Sequence, residues 1–485
     1  MIGTESLELS AITLQALRDM YDDPEGRFRS EEQAEAVQLA LQGDRDLLTI
    51  LPTGGGKSLV FMLPAWLEKE RTTVVIVPFV ALVEQMEERC IEMGLSCHVW
   101  RKLEAIINIK SQIVLVAVEH AIMPEFQHFL MQLENAERLS RIVIDECHTS
   151  LTQRGFRSVM RRLGSVVRCV CVQLILLTAT LPIEMEERLR IIMGCEHWKI
   201  VRKEGDRPEL KYRVEDVSER VNSREELNRE IERLLRSKIE DFEDNDRAII
   251  YCLQRDWTKE LADFLNKDFG EEICGIYHAK MERKERKEIF DRWKRGDLLF
   301  IATTNALRAG IDHSGVRLVI HQGHGKNMID FCQETGRGGR DGKMAEAVTL
   351  FWSGIVQESD WIEEEERAEV LRWIEGKECR RLMIGRYLDG EGRNCMSLSK
   401  GEICDVCEKS MERAMIEERG QMSVRIIGKR RGVKLAMNAA REGADLKEMI
   451  RELRGRCMMC WMNGKQGIRE HEYQRCRYVS RMSCD

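Results

Sequence analysis

Two short stretches hold the residues best placed to do chemistry. The first, LLTILPTGGGKSLVF (47–61), reads as strand, glycine-rich loop and helix. Gly54, Gly55 and Gly56, after Thr53, let backbone N–H groups close around phosphates without Cβ clashes. Lys57 adds a cation at the outer phosphates, and the Ser58 hydroxyl can hold Mg²⁺. The second stretch is DECH (145–148), at the end of the apolar run RIVID (141–145). A strand there puts the Asp145 carboxylate at the sheet's carboxyl edge, beside the phosphate loop, where it can hold Mg²⁺ through water. Glu146 can then orient and deprotonate an attacking water. Together these residue types point to hydrolysis of a nucleoside triphosphate.

The elements that must position them are visible as short β-branched runs. LLTIL (47–51), TTVVIVP (72–78), QIVLVAV (112–118), RIVID (141–145) and VQLILLTAT (172–180) form one series. RAIIYCL (247–253), EEICGIYHA (271–279), LLFIATT (298–304) and VRLVIHQG (316–323) form another. They are continuously apolar, as expected of parallel strands covered on both faces. Between the series, Leu227, Ile231, Leu234, Leu235 and Ile239 mark one face of an amphipathic helix. The pattern predicts an α/β chain with two parallel-sheet lobes at about 25–205 and 206–352. A helical extension (1–24) precedes them, and a Cys-bearing region (353–410) and a basic tail (411–485) follow.

Composition sets limits. The chain has 485 residues, 43 % of them apolar and 33 % charged, the balance of a soluble globular protein. Its opening lacks the basic start and apolar run of a signal peptide, and no stretch reaches the length of a membrane span. The net charge of −7 gives no overall pull toward nucleic acid, so any such binding needs local basic surface. Of 17 cysteines, nine fall singly before residue 379, as small hydrophobes do. Eight fall in close pairs in the last 107 residues, a pattern of metal ligands rather than of disulfides.

The stretch FCQETGRGGRDG (331–342) closely resembles the last motif of RecQ-type DNA helicases. PTGGGKS, FRSEE with QAEAV (28–37), VPFVALVEQ (77–85), LLTATLP (176–182), DRPELKY (206–212), YHAKMERKER (277–286) and ATTNALRAGID (302–312) fall in that family's order. The resemblance spans residues 25 to 410 and implies two RecA-like lobes that work on ATP and DNA. It implies Arg340 as a finger on the γ-phosphate with Arg337 in support. Gln33 would read adenine and Arg29 stack on it, though one residue more than usual separates Phe28 from Gln33. Thr304, Gly310 and Asp312 match the motif that links DNA contact to nucleotide state, with Thr304 on the nucleic-acid side. Cys379, Cys395, Cys404 and Cys407 match the family's structural Zn²⁺ subdomain.

The loop after DECH departs from the family. It is one residue shorter and lacks the expected Trp, leaving Phe156 and Arg157 as one aromatic and one cation for single-stranded DNA. After residue 410 nothing resembles a winged helix; residues 423–456 instead hold ten Arg or Lys against four Asp or Glu, either a phosphate-contacting surface or a solvated helix. Two activities therefore fit the sequence. One is a compact ATP-dependent DNA helicase acting on single-stranded or tailed DNA, its 3′-to-5′ direction implied by the resemblance alone and a nuclear location following from that function. The other is a degenerate ATPase that binds nucleic acid without unwinding. The spacing C-x2-C-x10-H-x4-C (Cys457, Cys460, His471, Cys476) resembles a zinc knuckle with a lengthened central loop. On that reading the purified chain carries two zinc ions by metal analysis. Replacing Cys457 and Cys460 by Ser lowers the content to one and leaves ATP turnover nearly intact.

Overall fold

The computed structural model describes residues 2–78, 80–101, 110–152, 154–304, 313–358, 362 and 364–427. Strands β1 (Asp46–Ile50), β2 (Thr72–Val77), β3 (Cys97–Val99), β4 (Ile113–Ala117), β5 (Leu139–Ile144), β6 (Gln173–Thr178) and β7 (Trp198–Arg202) form one sheet. Its order is β3-β4-β2-β5-β6-β1-β7 and every pairing is parallel. Successive side chains feed opposite cores. Leu48, Ile50, Val74 and Ile76 join one cluster, while Leu47, Val75 and Val77 join the other. Burial on both faces is the reason these runs are continuously apolar.

The second sheet is built from β8 (Leu210–Asp216), β9 (Arg247–Cys252), β10 (Cys274–Tyr277), β11 (Phe300–Thr303), β12 (Val316–Gln322) and β13 (Ala345–Phe351). Its order is β10-β11-β9-β12-β13-β8, again parallel throughout. The expected amphipathic helix runs Arg224–Ile239 and buries Leu227, Ile231 and Leu235, with Leu234 and Ile239 partly covered. Its start is fixed by Ser223, whose hydroxyl accepts from the Glu226 N–H, while the Glu226 carboxylate accepts from the Asn222 N–H at 2.7 Å. The N-terminal extension is a helix, Ile2–Tyr21, that buries Ala16 and Leu17.

Helices Glu364–Glu375, Arg380–Asp389 and Asp405–Ile427 form a third body against the second lobe. Trp373, 1 % exposed, packs edge-on against Tyr212 of β8 and tilted against Phe331. Arg380 lies over the Trp373 ring and forks onto Asp405 at 3.0 and 3.2 Å. Arg381 donates to Asp206 Oδ1 at 2.9 Å and to the carbonyls of Arg207 and Leu210 at 2.7 and 2.8 Å. The same body reaches the first lobe, where Arg202 joins Asp389 at 2.9 Å and Glu186 at 2.6 Å. Arg380→Ala leaves the Asp405 carboxylate buried without its cation. Chemical denaturation should show a loss of about 3–5 kcal/mol, the usual cost of breaking a buried ion pair from one side.

Candidate nucleotide site between the lobes

β1 delivers the glycine-rich loop to the carboxyl edge of its sheet, and the Leu51 N–H donates to the Thr178 carbonyl of β6 at 3.1 Å. Gly56 takes φ +75°, and a Cβ there would sit 2.2 Å from Gln33 Nε2. Only glycine allows that approach. Gln33 is buried at the start of helix Glu31–Gln42, which is capped by Ser30. Gln33 Oε1 accepts from the Arg29 N–H at 2.7 Å, and Gln33 Nε2 donates to the Gly56 carbonyl at 3.0 Å. The Arg29 guanidinium donates to the Gly54 carbonyl. Both residues expected at the base therefore brace the phosphate loop, and reading adenine requires Gln33 to exchange these bonds. Lys57 Nζ reaches back to the Leu51 carbonyl at 3.4 Å, and buried Ser58 opens helix Leu59–Leu67.

β5 delivers Asp145 and Glu146, one strand beyond β6 from the loop. Glu146 sits at φ +47°, a left-handed conformation that costs a side-chain-bearing residue about 1–3 kcal/mol. The flanking backbone holds it there: the Asp145 N–H donates to Ile76 O at 2.9 Å and the Cys147 N–H to Leu177 O at 3.0 Å. Burial, then the Glu146 charge, pushes the Asp145 carboxyl up to about 7. Burial pushes Glu146 the same way, but the His148 hydrogen bond, Lys57 and Arg337 outweigh it and hold Glu146 down to about 2. A carboxyl raised by a neighbouring carboxylate is relieved by a cation, and a divalent ion at Asp145 fits that need.

The second lobe meets this edge through helix Met328–Thr335. Gln333 Nε2 lies 3.0 Å from His148 Nε2 and donates to Thr180 Oγ1 at 2.9 Å. His148 Nδ1 lies 3.0 Å from Thr178 Oγ1 and 3.3 Å from Glu146 Oε2. An amide N–H₂ only donates, so it leaves Nε2 as the imidazole's acceptor and Nδ1 as its donor toward Thr178 and Glu146. The turn after this helix is held by Arg207, which donates to Gly336 O at 2.7 Å and Gly338 O at 2.6 Å. Arg337 is buried and acts electrostatically on Glu146; Arg340, further along the turn, is half-buried.

Cys379, Cys395, Cys404 and Cys407 bring their ligand atoms within 4.8 Å of one another. Cys379 Sγ lies 3.5 Å from Cys395 Sγ and 3.9 Å from Cys404 Sγ. With Zn–S bonds of about 2.3 Å, a tetrahedron has S···S edges of about 3.8 Å, so the thiols fit such an ion. Hydrogen bonds from Cys395, Cys404 and Cys407 pull the Cys379 thiol well down, favouring the thiolate that a metal needs. Thr304, half-buried after β11, lines a cavity of about 430 Å³ with Gln254, Arg255, His278 and Lys280. Phe156 and Arg157 belong by backbone to helix Arg154–Val167, but their side chains lie outside the described residues. So do Gly310, Asp312, Cys457, Cys460, His471 and Cys476. His148, Thr178, Thr180, Gln333 and Arg207 stand in motifs visible in the sequence, yet their roles emerge only from these contacts.

A glycine-rich loop at the carboxyl edge, an acidic pair and a second lobe bearing arginines make up the two-lobed layout of the helicase class. Family models agree: DEAD/DEAH box helicase matches residues 30–189 and helicase conserved C-terminal domain matches residues 226–342. ATP-dependent DNA helicase Q1 of Rattus norvegicus is 29 % identical over 420 residues, covering 81 % of this chain and 65 % of the relative. ATP-dependent DNA helicase hus2/rqh1 of Schizosaccharomyces pombe is 28 % identical over 410 residues, covering 78 % of this chain and 30 % of the relative. The chain thus spans less than two thirds of these relatives' lengths. The chain is thus similar to RecQ-type helicases of superfamily 2 across both lobes. Its fold is shared with DUF1998 helicase MrfA bound to DNA, at TM-score 0.59 and 18 % identity over 73 % of this chain and 51 % of that one. It is shared also with Saccharomyces cerevisiae Dbp5 bound to RNA and ADP BeF3, at TM-score 0.53 and 18 % identity over 72 % and 92 % of the two chains.

Two substitutions test the site. Lys57→Ala removes the loop's cation and should abolish phosphate release from ATP while leaving the thermal midpoint unchanged. Glu146→Gln keeps the shape and loses the base, so it should retain ATP binding by calorimetry and lose turnover.

Proposed function

We propose that this chain is an ATP-dependent DNA helicase of RecQ type, hydrolysing ATP between its lobes to move 3′ to 5′ along a single strand and unwind duplex. The observation that carries this reading is the cross-lobe contact of Gln333 with His148 and Thr180, beside Glu146 and with Arg337 acting on it. It joins the hydrolytic pair to the second lobe, which a motor needs in order to convert phosphate chemistry into lobe movement. In this reading Thr53 to Ser58 cradle the phosphates, with Lys57 on the outer ones. Ser58 and Asp145 would hold Mg²⁺, which would supply positive charge at the phosphates, while Glu146 orients and deprotonates the water. Arg337 and Arg340 neutralise charge building on the γ-phosphate. Gln33 and Arg29 stand at the base side, and Gly310 and Asp312 link nucleotide state to DNA. The four clustered thiols hold a structural Zn²⁺.

The unit boundaries we propose are 25–205 and 206–352 for the lobes and 353–410 for the thiol-bearing body, with the N-terminal helix before and the basic tail after. DNA is the proposed partner because the relatives carry names of DNA helicases and because MrfA was captured on DNA. Phe156, Arg157 and Thr304 are its proposed contacts on this chain. The Thr304 cavity adds Arg255 and Lys280, cations at the carboxyl edge of the second sheet. A nuclear location follows from work on DNA in the relatives' eukaryotic hosts. No helix among the described residues is long and apolar enough to cross a membrane.

The second reading, a DNA-binding ATPase that does not unwind, is favoured by the reduced aromatic set after DECH. DNA-stimulated ATP hydrolysis measured beside displacement of a strand from a 3′-tailed duplex separates the two. We expect both activities, with Phe156→Ala weakening the DNA stimulation because base stacking contributes about 1–3 kcal/mol. Stimulated hydrolysis without displacement selects the second reading.

A further inference from the structure

Beneath the turn that carries Arg337 lies a polar layer that the proposed mechanism does not use. Tyr251, in β9, stands in register with His321 of β12. Their rings stack at 5.3 Å with planes 17° apart. His321 also packs against Phe331, at 4.6 Å, and its Nε2 lies 2.9 Å from Glu334 Oε2. Glu334 follows Gln333 directly, and its carbonyl accepts from the Arg337 N–H at 3.2 Å. The buried Tyr251 hydroxyl has Arg337, Glu334 and Arg340 as its charged neighbours. Tyr251, His321 and Glu334 are all buried, so none is available to nucleotide or DNA from the surface.

Apolar side chains would fill this space at less cost. Burying a carboxylate is unfavourable unless a partner repays it, and replacing a buried polar pair by hydrocarbon is often neutral or stabilising. What a hydrogen bond adds over an apolar contact is direction, since it fixes the rotation and height of a helix where dispersion contacts permit slip. The helix fixed here carries Gln333 to His148 and leads into Arg337.

We propose that Tyr251, His321 and Glu334 are positioning residues, a stacked and hydrogen-bonded layer that sets where Gln333 and Arg337 meet the first lobe. The layer acts on ATP turnover through those two side chains alone, so the proposal rests on the reading of the chain as an ATP-hydrolysing motor.

The test is steady-state ATPase kinetics on three variants of the full chain, with thermal midpoints recorded beside them. Tyr251→Phe keeps the ring stack and removes the hydroxyl facing Arg337. Glu334→Ala removes the His321 partner, and Glu334→Gln restores an acceptor for it. A 1 Å displacement of a catalytic group can cost about 10²-fold, so kcat should fall about 10- to 100-fold in Tyr251→Phe and Glu334→Ala while KM for ATP stays within about twofold. Tyr251→Phe should keep the wild-type midpoint, and Glu334→Gln should regain most of the rate lost in Glu334→Ala. Wild-type kcat in Tyr251→Phe, or a Glu334→Ala loss matched by its loss of folded protein, overturns the proposal. A wild-type chain that binds ATP without turning it over overturns the motor reading itself.

Discussion

The Gln333 amide brings the second lobe onto the acidic box, and much of the molecule is arranged around that meeting. Its bonds to His148 and Thr180 are neutral hydrogen bonds, each contributing about 0.5–1.5 kcal/mol net. Contacts of that size can be made and broken within a catalytic cycle. The anchors inside each body are stronger in kind. Arg207 grips two carbonyls of the Arg337 turn with a charged fork, and charge-assisted bonds are roughly twice as strong as neutral ones. At this meeting the cross-lobe bonds are therefore weaker than those that hold the Arg337 turn behind them.

Both sheets are legible in the sequence where burial is complete. β2, β4, β5 and β6 read as unbroken apolar runs because their side chains enter two cores by turns. The strands that escape such reading do so for identifiable reasons. β3 has three half-buried residues at a sheet edge, and β7 and β8, at the edges too, mix charged with apolar positions. β13 opens with Ala-Glu-Ala, a helix-like start, although it lies between two strands. Its Glu346 is tolerated there because Lys238, 108 residues earlier, comes within 2.7 Å. No local pattern announces a partner that far away.

The site divides the same way. The glycine-rich loop and acidic pair stand out in the sequence because glycine, lysine and carboxylates have few other uses in that order after a strand. The tie between His148 and Gln333, 185 residues apart, was not. Nor was the use of Gln33 and Arg29 as braces, since their side-chain chemistry suits a base as well as a backbone carbonyl. Arginine recurs as the residue that closes loops. Arg247, 1 % exposed, donates to the carbonyls of Trp293, Asp244, Asp246 and Lys294. Its planar fork of five donors satisfies several chain ends at once, which a lysine could not match.

The Arg380–Asp389 helix starts at a clustered thiol, Cys379, and its second residue, Arg381, clamps the strand-entry segment Asp206–Leu210. From that same segment Arg207 clamps the Arg337 turn. The path from sulfur to guanidinium is therefore a short truss of hydrogen-bonded struts. A truss transmits displacement instead of absorbing it. A displacement at the four thiols would reach the Arg337 turn along this path.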